Sequence, residues 1–272
     1  SPKLLYEVNC TIGFGRYAYL INHCRMLNAK SPQSVEESAL KLTNKLVRYP
    51  HIDVDRAFEK EAELLQQIQA GEIGQALMLW QAKTATLVLP AGKKWPVTVE
   101  SRKQLAAQGW QLTSRKTGGA PVPQLPGIIN LSHIYHWPRD EAYNIQKAYR
   151  HLCDVLTLFF KELGIDVDVH ATPGSYCDGE YNLNINKQKI VGTAQRVLLK
   201  QGGGQIVLSQ ACILLDVDLE NIVAPVNFYN QICDNPTVVD AQVHTPLSAH
   251  LKTLPNVDSL FQQLSQAFIK YA

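Results

Sequence analysis

The stretch that most constrains the fold runs from Pro173 to Arg196, PGSYCDGEYNLNINKQKIVGTAQR. Tyr181, Leu183 and Ile185 alternate with Asn182, Asn184 and Asn186, the period of a half-buried strand. A turn at Asn186-Lys187-Gln188 returns the chain into a second strand that opens Lys189-Ile190-Val191-Gly192. A hairpin of this kind can aim Cys177, in the glycine-flanked turn before it, and Lys189 at one small volume. A nucleophile and a fixed positive charge are the minimum equipment for acyl transfer. The same residues also suit a surface hairpin that carries a cysteine and a lysine incidentally, and this stretch alone does not choose.

Around that hairpin the periodicities alternate between helix and strand. Ser31-Pro32 reads as a helix start, with Val35, Ala39, Leu42 and Leu46 as its stripe and Pro50 as its stop. A second helix is expected over Asp53–Ala70, with Phe58, Ala62, Leu65 and Ile68 inward and Gly71 closing it. Strands are expected at 76–80, 84–90, 110–115 and 128–134, with a short helix near Ser101–Ala107. The longest helix spans about Asp140–Leu163, with Ile145, Ala148, Leu152, Leu156 and Phe159 on one face. An alternating strand at 165–171 then leads into the central stretch, one or two strands fill 205–220, and a last helix starts near Asn256.

Composition narrows the function classes. The 272 residues carry a formal charge of +2 with 18% charged side chains and no Lys/Arg run, so nothing points to nucleic acid. No apolar stretch approaches the roughly 20 residues that span a bilayer. The N-terminus lacks the charged-then-apolar pattern of a signal peptide, which makes the cytoplasm the expected compartment. The six cysteines are scattered without a C-x-x-C pair, so no metal site is expected; His133 and His136 lack a third ligand. Cys153 and Cys212 lie among apolar neighbours and read as core residues.

Three segments in a fixed order carry a resemblance. They are Arg115-Lys116-Thr117-Gly118-Gly119, Gly127-Ile128-Ile129-Asn130-Leu131-Ser132, and Lys189-Ile190-Val191-Gly192-Thr193-Ala194-Gln195-Arg196. Together they resemble the biotin/lipoate protein ligase and transferase superfamily: its arginine-led twin-glycine turn, its G-x-L-N-x-S strand, and the K-x-x-G-x-x-Q-R signature of its acyl-binding lysine. Ser175-Tyr176-Cys177-Asp178-Gly179-Glu180-Tyr181 is similar to the S-Y-C-x-G-x-Y segment of its lipoyl-relay octanoyltransferases. The resemblance covers roughly 57–220. It implies an α/β (α+β) fold, a mixed and largely antiparallel sheet with packed helices, in one catalytic domain over 1–272. The chain departs from the family at Gln124, Leu125, Ala120 and Gln210-Ala211, and residues 1–50 match nothing in it.

What the resemblance implies for function is an octanoyl or lipoyl transfer through a thioester on Cys177, with Lys189 binding the acyl carbonyl. Arg115, Thr117, Gly118, Gly119, Asn130, Gly192, Thr193 and Ala194 would bind substrate, and His170 is the candidate base. The implied partners are lipoyl-domain proteins, namely the glycine-cleavage H protein and the acyltransferase subunits of 2-oxoacid dehydrogenases. No cofactor is expected for transfer. Two alternatives stand beside it: an ATP-dependent lipoate ligase, which would use ATP and magnesium, and a catalytically silent lipoyl-domain-binding homologue.

Overall fold

A computed structural model describes residues 7–10, 43–116, 118–200 and 202–271. Its frame is an eight-stranded sheet in the order β1-β2-β3-β7-β11-β10-β9-β8. The strands are β1 (Glu7–Cys10), β2 (Thr43–Ile52), β3 (Ile73–Ala82), β7 (Ile128–His136), β8 (Asp168–Val169), β9 (Leu183–Ile185), β10 (Gln188–Leu199) and β11 (Gln205–Leu214). Only β2 and β3 run parallel, joined by α1 (Val54–Ala70); every other pair in this sheet is antiparallel. A smaller sheet, β5-β4-β6, comprises β4 (Thr86–Leu89), β5 (Gln111–Ser114) and β6 (Val122–Gln124). The mixed, mainly antiparallel α/β architecture agrees with the sequence expectation.

Strand alternation sorts the side chains onto two faces. Leu77, Leu79, Ile129, Leu131, Ala211 and Ile213 turn to the face covered by α3 (Ile145–Glu162) and α5 (Val257–Tyr271), where Leu156, Phe159, Phe160 and Phe268 meet them. Ala76, Met78, Trp80, Ile134 and Leu208 turn to the other face, under α1. The small sheet, α2 (Val99–Ala107) and α4 (Leu219–Ile232) enclose a third cluster that includes Leu87, Leu105, Ile128 and Val226. On the α1 face, register places Asn130 opposite Cys212 and Ser132 opposite Gln210. These four polar side chains lie beside the apolar residues of that face.

Several local expectations change. Leu46 and Pro50 belong to strand β2, not to a helix; Pro50 breaks the ladder between Tyr49 and Ile52, where the register shifts. The rest of that expected helix lies outside the described residues. In α1 the inward positions are Val54, Ala57, Leu64 and Ile68, and Ala62 is exposed, so the stripe is rotated by about one residue. The rotation turns Glu61 inward. Helix α3 begins at Ile145, capped by Asn144 Oδ1 accepting from Lys147 N at 2.8 Å, and Ile145 itself is exposed. The strand expected over 165–171 shrinks to two residues. The hairpin turn is Asn186-Lys187, both left-handed, the two-residue geometry that matches strand twist. Its β9 arm is covered on both faces, since Asn182 and Asn184 are as buried as Leu183. Helix α4 carries no expectation from the sequence because Pro225 and a weak polar-apolar period obscure it.

Gly127 closes the end of β7 against β11. Its carbonyl accepts from Leu215 N at 2.8 Å and Asp216 N at 3.3 Å, at φ +97°. A Cβ there would sit 2.2 Å from Asp216 O, so backbone would have to move. Gly127→Ala should cost at least about 2 kcal/mol, read as a lower urea midpoint.

His133 is buried on the α5 face, stacked on Tyr135 (4.6 Å between centroids) and edge-on to Phe268, with Nε2–H donating to Gln75 Oε1 at 2.9 Å. Burial, reinforced by His151, lowers its pKa from 6.5 to about 3. The unfolded chain therefore takes up the proton first. Stability should fall as pH drops from about 6.5 towards about 3, by at most about 1.4 kcal/mol per unit from this group. His133→Gln should flatten the acid limb of a stability–pH curve between pH 6 and 4.

Candidate active site

Cys177 sits in the tight turn that precedes the hairpin, at φ +52°, a left-handed conformation uncommon outside glycine. The turn is tied on itself: Ser175 N donates to Thr172 O at 3.0 Å, and Thr172 N to Asp178 Oδ1 at 2.7 Å. Its principal clamp comes from β10. The Lys189 ammonium donates to the carbonyl oxygen of Tyr176, and to that of Cys177 at 3.0 Å, and lies 4.6 Å from the Tyr176 ring centroid. The lysine stem reaches inward past a ladder irregularity between Lys189 and Val191. A Cβ on Gly192 would lie 3.1 Å from Lys189 Cε and 3.3 Å from Nζ. The glycine three residues after the lysine is therefore the space through which the lysine passes.

Lys189 is 1% exposed, and burial lowers its pKa from 10.5 to about 8 against the pull of Cys177, Cys212 and Asp178. An amine held there exchanges its proton near neutral pH. The twin-glycine turn approaches from the small sheet: a Cβ on Gly119 would be 3.8 Å from Cys177 Sγ and 3.0 Å from Arg115 Nη2. Arg115 does not offer its charge freely. Its guanidinium donates to Val88 O (3.4 Å), Gly118 O (3.0 Å) and Ala120 O (2.9 Å), so it folds the turn from within. Burial lowers its pKa, opposed by Cys177 and Cys212.

Cys177, Lys189 and Arg115 line one pocket of about 640 Å³, counting its open mouth. Phe58, Trp80, Val88 and Val122 supply its apolar wall, with the Phe58 and Trp80 rings edge to face at 6.2 Å. Asn130, Gly192, Thr193 and Ala194 also line it. Asn130 is committed to a reciprocal pair with Gln124 (2.7 and 2.8 Å), and Thr193 Oγ1 donates to Tyr181 O at 2.8 Å, so both shape the wall. Gly118 is exposed beside the turn, and Thr117 lies outside the described residues. His170 does not line the pocket. Its Nδ1 donates to the neighbouring Ala171 carbonyl at 2.7 Å. Among the described residues, no three His, Cys, Asp or Glu gather as a metal site would require.

Sequence reasoning missed four contributors. Cys212, read as core, lines the pocket; its thiol donates to Asn130 Oδ1 at 2.9 Å and accepts from Gln124 Nε2 at 3.3 Å. Burial pushes that thiol's pKa up, against the hydrogen bond from Gln124. Glu61 reaches from α1 to accept from Ser132 Oγ and from Gln210 Nε2 (2.7 Å), two wall residues, and burial raises its pKa. A helical stripe shifted by one residue was the signal available for it. Tyr176 and His244, stacked at 4.9 Å beneath the cysteine turn, left no signal in spacing, because they lie 68 positions apart.

Comparison with known proteins gives this geometry a family. The model of the lipoyl protein ligase A/B catalytic domain matches residues 53–269. An uncharacterized protein of Cupriavidus necator is 31% identical over 71% of this chain and 82% of its own length. The octanoyl-GcvH:protein N-octanoyltransferase of Geobacillus kaustophilus is 25% identical over 60% of this chain, an alignment that spans 56% of that enzyme. Lipoate-protein ligase A bound with ATP superposes with a TM-score of 0.64 at 15% identity, covering 84% of each chain, a likeness of fold. The chain belongs to the lipoyl protein ligase A/B catalytic domain family.

Proposed function

We propose that the protein is an octanoyl or lipoyl transferase that carries the acyl group on Cys177 and delivers it to a lysine of lipoyl-domain proteins, acting in the cytoplasm as a single catalytic unit without nucleotide. One observation carries the reading: a cysteine held in a left-handed turn shares an apolar-walled pocket with a buried lysine whose ammonium is fixed on that same turn. A ligase that activates its acid with ATP has no need of such a nucleophile. The octanoyltransferases among the relatives act, by name, on octanoyl-GcvH. The glycine-cleavage H protein and dehydrogenase acyltransferase subunits are the corresponding partners here.

In the first half-reaction Cys177 Sγ, as the thiolate, attacks the donor carbonyl carbon, and the carbonyl oxygen takes negative charge beside Lys189 and the Gly118-Gly119 turn. Collapse breaks the bond to the donor's amine, which leaves with a proton; Lys189, with its pKa near 8, can supply it. In the second half-reaction the acceptor lysine loses a proton to neutral Lys189 and attacks the thioester carbonyl. The C–S bond breaks and Cys177 is regenerated. Loss of one such donor typically slows the chemical step about 100- to 1000-fold. Lys189 thereby fills the role of base that His170 is not placed to fill.

Mixing the protein with an octanoylated donor domain, without ATP, should add one octanoyl mass, and Cys177→Ser should abolish the adduct because a serine hydroxyl is almost wholly protonated at neutral pH. An adduct that requires ATP assigns the ligase activity instead, and an inert thiol assigns the silent homologue. Lys189→Ala should slow adduct formation at least about 100-fold. It should also erase the limb near pH 8 in the wild-type pH–rate profile; a limb that survives the substitution would belong to another group.

A further inference from the structure

The segment Asp240–Thr245 straps the cysteine turn to the lysine strand. Asp240 N donates to Gly174 O at 2.9 Å on the turn, and Thr245 N to Lys189 O at 2.9 Å on β10. Between these ends Gln188 Nε2 donates to Gln242 O at 2.8 Å, and His244 bridges to Lys189 in parallel register. His244 is completely buried, its ring stacked on Tyr176 with planes 12° apart. Its Nδ1 contacts the Asp240 carbonyl oxygen at 2.9 Å, and a carbonyl can only accept, so Nδ1 carries the proton. Nε2 is therefore an acceptor. It is buried and has no hydrogen-bond partner, and neither has Ser175 Oγ, a donor buried two residues before Cys177.

Unpartnered buried polar atoms are uncommon, and each costs roughly 1–3 kcal/mol. Here two of opposite hydrogen-bonding character lie on the two segments that flank the nucleophile. We propose that Ser175 and His244 are positioning residues that form a latch beneath the cysteine turn, the Ser175 hydroxyl donating to His244 Nε2 when Cys177 is acylated. In the free protein the two remain apart. Closing the latch repairs both orphans and draws the turn onto the strap that already holds Lys189, so the energy of the bond is realised only in the reacting state. Burial, aided by the charge of Lys189, lowers the His244 pKa to about 4, which keeps Nε2 free to accept at neutral pH. The proposal rests on the acyltransferase reading.

The test compares wild type, Ser175→Ala, His244→Phe and the double variant. The readouts are melting temperature and the rate of octanoyl adduct formation at Cys177. Ser175→Ala removes an unpartnered hydroxyl, so the free protein should melt no lower than wild type while acylation slows about tenfold. His244→Phe keeps the stack and should slow acylation similarly. The double variant should be no slower than the slower single one, because either substitution alone opens the latch. A lower melting temperature for Ser175→Ala with an unchanged acylation rate would mean that the hydroxyl is already satisfied in the free protein, and would overturn the latch. So would single effects that multiply in the double variant. If wild type forms no adduct with any octanoyl donor, it is the acyltransferase reading that fails. Iodoacetamide alkylation of Cys177 in the same four proteins then decides: the same non-additive slowing supports the latch, and four equal rates remove it.

Discussion

The structure of the site depends on one buried ammonium. Lys189 enters the core from the second hairpin strand and spends hydrogen bonds on two successive carbonyls of the cysteine turn. Without them those carbonyls face a low-dielectric interior, and the left-handed Cys177 loses its restraint. The cost of burying the amine appears as its lowered pKa. That cost is tolerable because the carbonyl dipoles and the Tyr176 ring stand in for water. Strand and turn are thus joined at one nitrogen, and the strap is tied to the same residue through its carbonyl oxygen.

The two halves of the pocket have different physical origins. The hairpin side is set by backbone geometry: a two-residue turn, a ladder irregularity and a glycine that leaves room for the lysine stem. The opposite side is set by side chains that answer one another between elements, Gln124 with Asn130 across strands and Glu61 on α1 with Ser132 and Gln210. Arg115 belongs to the first kind despite its charge, since its guanidinium replaces hydrogen bonds that a glycine turn cannot make for itself.

Legibility in the sequence followed the range of the interaction. The hairpin, the lysine–glycine spacing and the glycine turn are local, and residues 173–196 showed that Cys177 and Lys189 can meet without choosing between a site and a plain surface hairpin. Resemblance supplied the overall fold and part of the pocket lining, Arg115, Asn130, Gly192, Thr193 and Ala194, but not its apolar wall. What stayed hidden depends on pairing between distant strands or on a helix rotated by one position: Glu61, Cys212 and His244 answer to partners 71, 82 and 68 positions away. A proline at 50 suggested a helix stop, while the structure uses it at a break in a strand ladder. Single-residue periodicity cannot separate those two uses.

The hydrogen bond from the Cys212 thiol to Asn130 has a consequence for how the pocket sorts its two sulfurs. Asn130 is itself locked by Gln124, so its oxygen stays aimed at Cys212 and holds the sulfur's proton in place. Burial adds to this by disfavouring a negative charge on Cys212. Two sulfurs share one chamber, yet one is tethered as a proton donor to an immobile amide while the other stands at the apex of a turn. On the acyltransferase reading, an electrophile that enters meets a chamber with a built-in preference for the sulfur at the apex.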